Sequence, residues 1–251
     1  MDTAGKFAIS PRFETLPDSF SDGLALIQVK GKFGYIDHSG EFTIQRNFLQ
    51  ATSFSDGVAR VITDGPCTYI SDGPCASPEY VGGREMNQPP CKFSFIDKTG
   101  RVITTQRFDF ARDFSEGLAP VKIGDLWGFI DKAGVLVVAP KFEDAQPFSS
   151  GLSRIRDHDL SGYSDKTGSV VIPPTWRSAD DFSEGLAVVG DPNGPFSYIN
   201  RTGSEAFHGK FAVASRFFKG LAQVRLLPRD SRKAHATFAY IDTTGHRVFT
   251  Y

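Results

Sequence analysis

Cysteine, tryptophan and methionine are scarce: three, two and two in 251 residues. So few cysteines, and an odd number, exclude a disulfide framework as the basis of the fold. An excess of one charge is also missing, with 28 Lys and Arg against 29 Asp and Glu and no long run of either sign. A nucleic-acid surface needs basic residues gathered in a stripe, so nucleic acid is not an expected partner. No apolar run approaches the roughly 18–20 residues that span a bilayer, so no membrane partner is expected. The opening, MDTAGKFAISPRF, lacks the basic start and the apolar stretch of about 7–15 residues of a secretory signal, and the expected location is cytoplasmic. Catalytic signatures are absent too: no HExxH, no GxSxG and no phosphate-binding loop. The five histidines, His38, His158, His208, His235 and His246, fall mainly at expected turns or strand ends. The chain therefore reads as a non-enzyme with no catalytic residue, metal ligand or cofactor site.

Phenylalanine, glycine and proline are abundant, at 23, 25 and 15 residues. Their placement is periodic. The motif FSEGLA at Phe114 recurs as FSDGLA at Phe20, FSDGVA at Phe54, FSSGLS at Phe148, FSEGLA at Phe182 and FFKGLA at Phe217. The leading phenylalanines are 34, 60, 34, 34 and 35 positions apart, so one period of about 34 residues with a single insertion accounts for the chain. Residues 1–251 read as a single repeat array.

Within the unit Phe114–Val138, three β-prone runs follow the corner: Leu118–Lys122, Trp127–Asp131 and Val135–Ala139. Each is near the usual strand length and well below the roughly 10–12 residues of a helix. Between the second and third runs stands Asp131-Lys-Ala-Gly134, matched at Asp37–Gly40, Asp97–Gly100, Asp165–Gly168, Asn200–Gly203 and Asp242–Gly245. Asp or Asn opening a type I turn can accept backbone N–H groups, and Gly at the fourth position tolerates positive φ. No second carboxylate follows two residues on, as a calcium loop would require. These aspartates are turn residues.

In the second run large rings alternate with small residues: Phe33-Gly34-Tyr35, Phe93-Ser94-Phe95, Trp127-Gly128-Phe129, Phe196-Ser197-Tyr198 and Phe238-Ala239-Tyr240. A small residue there predicts that backbone or a ring lies directly against it. The segment from Pro140 through Phe142 and Ala145 to Phe148 reads as the seam between repeats, with Pro ending strand pairing and Phe148 buried. The fold class is all-β: tandem three-stranded antiparallel meanders stacked as an open twisted array, a six-bladed propeller-like ring being the alternative. Residues 1–19 form a half-unit cap.

With Trp127-Gly128, FSEGLA, IDKAG and PKFEDA in register, the chain resembles the bacterial WG-repeat family. Literal Trp-Gly stands only at Trp127-Gly128, and the fourth copy has Ser161-Gly162. The resemblance implies an all-β interaction module without a shared enzymatic activity or cofactor.

Individual function is expected where the copying is interrupted. Residues 65–90, within the second unit, are such an interruption. The interval holds Cys67 and Cys75, with Cys91 just beyond it, and Tyr69, Tyr80, Arg84 and Met86, residue types that anchor protein contacts. Cysteine spacings of eight and sixteen, with no histidine in the loop, disfavour zinc, and a reducing cytosol disfavours a disulfide. A recognition loop and a plain surface excursion are both open. A second irregularity, Leu226–Thr237, gathers Arg229, Arg232, Lys233 and His235 beside Arg225, a solvated hairpin end rather than a nucleic-acid site.

The expected function is a scaffold binding a protein partner, as an inhibitor, immunity or regulatory protein. Two alternatives stand beside it. One is a small-molecule or glycan-binding module that uses Trp127, Tyr35 and Tyr198 as exposed stacking platforms. The other is a hydrolase whose site is assembled from distant residues.

Overall fold

The computed structural model describes residues 13, 15–63, 92–227 and 237–250, and it is all-β. The insertion with Tyr69, Tyr80, Arg84, Met86 and the three cysteines lies outside the described residues, as do Arg229, Arg232, Lys233 and His235. The chain divides into two compact units, Met1–Pro140 and Lys141–Tyr251, each described by itself.

In the first unit, repeat one comprises β1 (Ala25–Val29), β2 (Lys32–Ile36) and β3 (Phe42–Phe48). Repeat two comprises β4 (Gln50–Ala51), β5 (Val58–Ile62) and β6 (Ser94–Asp97), and repeat three β7 (Phe110–Ala111), β8 (Leu118–Ile123), β9 (Leu126–Asp131) and β10 (Leu136–Phe142). In the second unit, repeat four comprises β11 (Asp144–Ala145), β12 (Ser153–Asp157), β13 (Leu160–Ser164) and β14 (Val170–Trp176). Repeat five has β15 (Ser178–Ala179), β16 (Leu186–Gly190), β17 (Phe196–Asn200) and β18 (Phe211–Ala214), and repeat six β19 (Leu221–Leu226), β20 (Phe238–Asp242) and β21 (Arg247–Thr250). The meander of three long strands is continuous in repeats one, three, four and six, with one addition: the seam leading into a repeat forms a short strand that pairs with that repeat's first long strand, as Ala111 does with Val121. Proline does not end the third strand, because β10 runs through Pro140 and β14 through Pro173 and Pro174.

Each FSEG corner is a tight turn whose two central residues both have positive φ, as at Asp22-Gly23, Asp56-Gly57 and Glu184-Gly185. That is the hairpin turn whose twist matches the flanking strands. Non-glycine residues in this region are strained, and neighbouring corners supply the compensation. Asp22 Oδ2 accepts the N–H of Gly57 at 2.7 Å, Asp56 Oδ2 that of Gly117 at 2.7 Å, and Glu184 Oε2 that of Gly220 at 2.9 Å. The serine hydroxyls donate to the next corner's Phe carbonyl: Ser21 to Phe54, Ser55 to Phe114, Ser149 to Phe182 and Ser183 to Phe217, at 2.5–2.7 Å. No further corner follows Lys219 in this sequence, and the two ladder positions there are Phe218 and Lys219.

The core lies between successive repeats. Within each unit a corner Phe packs on the second-strand ring of the repeat before it: Tyr35–Phe54 at 4.7 Å, Phe95–Phe114 at 5.1 Å, Tyr163–Phe182 at 4.7 Å and Tyr198–Phe217 at 5.0 Å. Phe148 is buried, as its place in the seam predicts. The tyrosine hydroxyls donate to seam carbonyls of Thr52, Asp180 and Ser215. Burial pushes the pKa of all three tyrosines upward.

The small residue after each ring has the predicted neighbour. A Cβ on Gly128 would stand 2.3 Å from the Val138 carbonyl oxygen, and one on Gly162 2.5 Å from that of Ile172. In repeat four the third strand gains two residues between the pairs Tyr163–Ile172 and Ser161–Trp176 and arches over the glycine. Where Ser94 and Ser197 replace glycine, the continuous third strand gives way to isolated bridges, Ile96–Val102 and Ile199–Glu205. The aspartate turns also form as expected: Asp37 Oδ1 accepts N–H groups of Ser39 and Glu41, and Asp131 those of Ala133 and Val135.

Candidate functional site

The meander puts its two kinds of turn at opposite ends of each repeat. Corner and aspartate turn share one end, since Leu118 pairs with Asp131. That end is uniform and linked to its neighbours: in the first unit Lys98 Nζ reaches the Asp22 carbonyl at 3.2 Å. The other end holds the tips between the first two long strands, and these vary. In the first unit they are Lys30-Gly31, the insertion and Gly124-Asp125; in the second, His158-Asp159, Asp191–Gly194 and the interval 227–237. Within each unit the variation is confined to one edge.

Both roots of the insertion are pinned to the start of repeat three. Arg107 Nη1 donates to Thr63 Oγ1 at 2.9 Å, and Lys92 pairs with Asp109. Partial burial works to raise the Asp109 pKa, but the Lys92 ammonium and the Gly124 N–H outweigh it and hold the carboxyl below its ordinary value. Beside these roots a recess of about 260 Å3 opens, lined by Gln50, Thr52, Arg60, Ile62, Phe93 and Phe110 among others. Arg60 crosses its wall: Nη1 donates to the Ala111 carbonyl, Nε lies 3.3 Å from Asp113 without hydrogen-bond geometry, and the guanidinium stands 5.4 Å from the Phe93 ring centre. Phe110 lies between Phe93 at 5.1 Å and Trp127 at 5.7 Å, and Arg112 caps Trp127 at 4.4 Å. A row of three rings with two guanidinium groups thus stands near the roots Thr63 and Lys92.

Sequence reading missed Arg60, Phe110 and Asp109 as site residues. The sequence carried little signal, since the position of Phe110 is Leu16, Gln50, Asp144, Ser178 and Val213 in the other copies.

The second unit has a recess at the equivalent place, about 160 Å3 in volume, lined by Arg154, Arg156, Arg177, Ser161, Ser178 and Asp144 among others. On the same edge Glu143, Asp157 and His158 offer ligand atoms within 4.8 Å of one another. All three are exposed, so a cation there would remain largely in water.

One expectation is corrected. Tyr35 and Tyr198 are 0% exposed and Trp127 6%, so the repeated rings are core rather than platforms for a glycan or other small molecule. His158 Nδ1 and Asp157 Oδ1, 2.7 Å apart, stand on an exposed hairpin.

The model of the WG containing repeat matches at residues 1–33, 33–65, 93–127, 127–160, 162–190 and 196–226. The chain belongs to the WG containing repeat family. The Gly of the WG pair is therefore the residue over which the third strand arches, and the Trp the ring at the variable edge. No curated protein sequence matches the chain. Solved structures similar to it include BamB from Moraxella catarrhalis, 11% identical over 92% of this chain and 74% of that one, TM-score 0.46. KlHsv2 with loop 6CD replaced by a Gly-Ser linker is 9% identical over 88% and 74%, TM-score 0.44. The extracellular domain of the one component system BT4673 from B. thetaiotaomicron is 12% identical over 93% and 36%, TM-score 0.42. With TM-scores below 0.5, these likenesses identify neither partner nor chemistry. Among the described residues no helix is long and apolar enough to cross a membrane.

Proposed function

We propose that this WG-repeat chain is a non-catalytic scaffold that holds a protein partner along its variable edge, as an inhibitory, immunity or regulatory protein. Residues 65–90 are the principal contact, with Tyr69, Tyr80, Arg84 and Met86 as anchors and the Arg60, Phe93 and Phe110 recess as a second seat. One observation carries this reading: the motif residues are consumed by contacts between repeats at one end, while every change of loop length falls at the other. Repeat proteins place per-repeat insertions on a single face, often the binding face.

The test is affinity capture with the intact chain and with a version lacking residues 65–90, the unfolding midpoint of both being measured. The proposal expects a partner captured by the intact chain and lost from the shortened one, with the midpoint unchanged or raised. Equal capture of the same partners by both would contradict it.

A further inference from the structure

The two recesses occupy equivalent positions and differ in chemistry at the same places. Phe93 of the first corresponds to Ser161 of the second, Phe110 to Ser178, and Ile62 to Arg156, while Arg60 and Arg154 are alike. Three apolar residues have become two hydroxyls and a guanidinium. Arg177, where repeat three has Asp109, adds a further cation to the lining.

The existing partners leave donors for a ligand. Arg154 is held by Asp181 at 3.0 Å, and Asp144 accepts from the Gln146 side chain at 2.9 Å. Arg156 has only Asp159, 3.7 Å away on a carboxylate 95% exposed, an arrangement that water screens strongly. Arg177 has no partner among the described residues. Ser161 is 5% exposed, lines the hollow, and makes no side-chain hydrogen bond among the described residues. A nearly buried serine that faces Arg156 across the strand pair, in a hollow that Arg177 also lines, matches an oxyanion, whose lone pairs accept from hydroxyl and guanidinium alike.

We infer that this recess is an oxyanion subsite that takes a carboxylate side chain of the partner protein, through Arg156, Arg177 and Ser161. The inference rests on the protein-binding reading above and gives one of its contacts a chemistry. A carboxylate suits the hollow because the planar fork of an arginine pairs with it through two parallel hydrogen bonds.

The test uses the full chain and no partner, so its failure leaves the capture experiment, and the reading that depends on it, untouched. Sodium acetate, inorganic phosphate and sodium chloride are titrated separately at constant ionic strength. The amide signals of Ser161 and Gly162 and the Nε–H signals of the arginines are followed by NMR. Acetate is expected to give a saturable shift that chloride does not. In Arg156→Gln/Arg177→Gln the dissociation constant should rise by about tenfold or more, the loss expected for charge-assisted hydrogen bonds. Ser161→Phe restores the ring of repeat two, fills the hollow, and should abolish the shift. The double arginine variant changes only surface groups, so it remains informative should Ser161→Phe fail to fold. No saturable shift with acetate overturns the inference, as does a shift that survives both variants. Saturation by phosphate with none by acetate overturns the carboxylate assignment.

Discussion

Asp56 accepts the backbone N–H of Gly117 at 2.7 Å although 61 residues separate them. The equivalent bond from Gly57 to Asp22 spans 35. The extra residues leave the corner ladder unaltered, so an insertion at the variable edge need not disturb the stack. Stability and recognition are thereby assigned to opposite ends of each repeat.

Replacing Asp56 by Ala removes this acceptor and leaves a residue in the left-handed region without compensation. The expected cost is about 1–2 kcal/mol in urea unfolding. Lys219→Ala removes a side chain that, as an ammonium, can accept no backbone N–H, and should stay within about 0.5 kcal/mol of the parent.

Phe114 is fully buried and meets Phe95 edge-on at 5.1 Å. Phe114→Ala should cost roughly 3–5 kcal/mol, through lost burial and the cavity left behind. A melting curve that does not move would show that the ring is not core.

Gly128 and Ser94 occupy the same position in two repeats and should respond oppositely. Gly128→Ala drives a Cβ into the arching backbone and should cost about 1–3 kcal/mol or more. The Ser94 hydroxyl is buried without a hydrogen-bond partner, so Ser94→Ala should be neutral or slightly stabilising. Both are read from unfolding midpoints.

Asp37, Asp97, Asp165 and Asp242 are held below the ordinary carboxylate range, first by the hydroxyl two residues on and then by backbone N–H groups. A lowered folded pKa gives stability that is present above the unfolded value, near 4, and lost as pH falls through the folded one. The tyrosines act at the other end: their raised pKa gives stability that is full below about pH 10 and lost as pH rises. Changing all four aspartates to Asn, the residue already at Asn200, should flatten the slope of stability against pH below about 4 and leave the alkaline limb unchanged. Urea midpoints across pH 2–11 measure both limbs.

The repeat, its three long strands and both turns were legible in the sequence because their residues recur at fixed offsets. FSEG and DKTG report local backbone requirements, and WG reports a close approach within one repeat. The short fourth strand was not legible, since two residues have no periodicity. Nor were the partners of Ser21 or Asp22, which lie a whole repeat away in the chain. The recesses depend on which residues from different repeats face each other, so Arg60 with Phe110, and Arg156 with Ser161 and Arg177, emerge only in the folded chain.

The most direct test of the division between a structural end and a variable edge is equilibrium unfolding of the chain without residues 65–90. Four residues, Thr63, Asp64, Cys91 and Lys92, would then join Ile62 to Phe93, a length that suits a hairpin. The account predicts a stability equal to the parent's or higher by roughly 1–2 kcal/mol, because a shorter loop costs less entropy to close. A loss of several kcal/mol would show that the insertion is part of the stack, and would contradict the account.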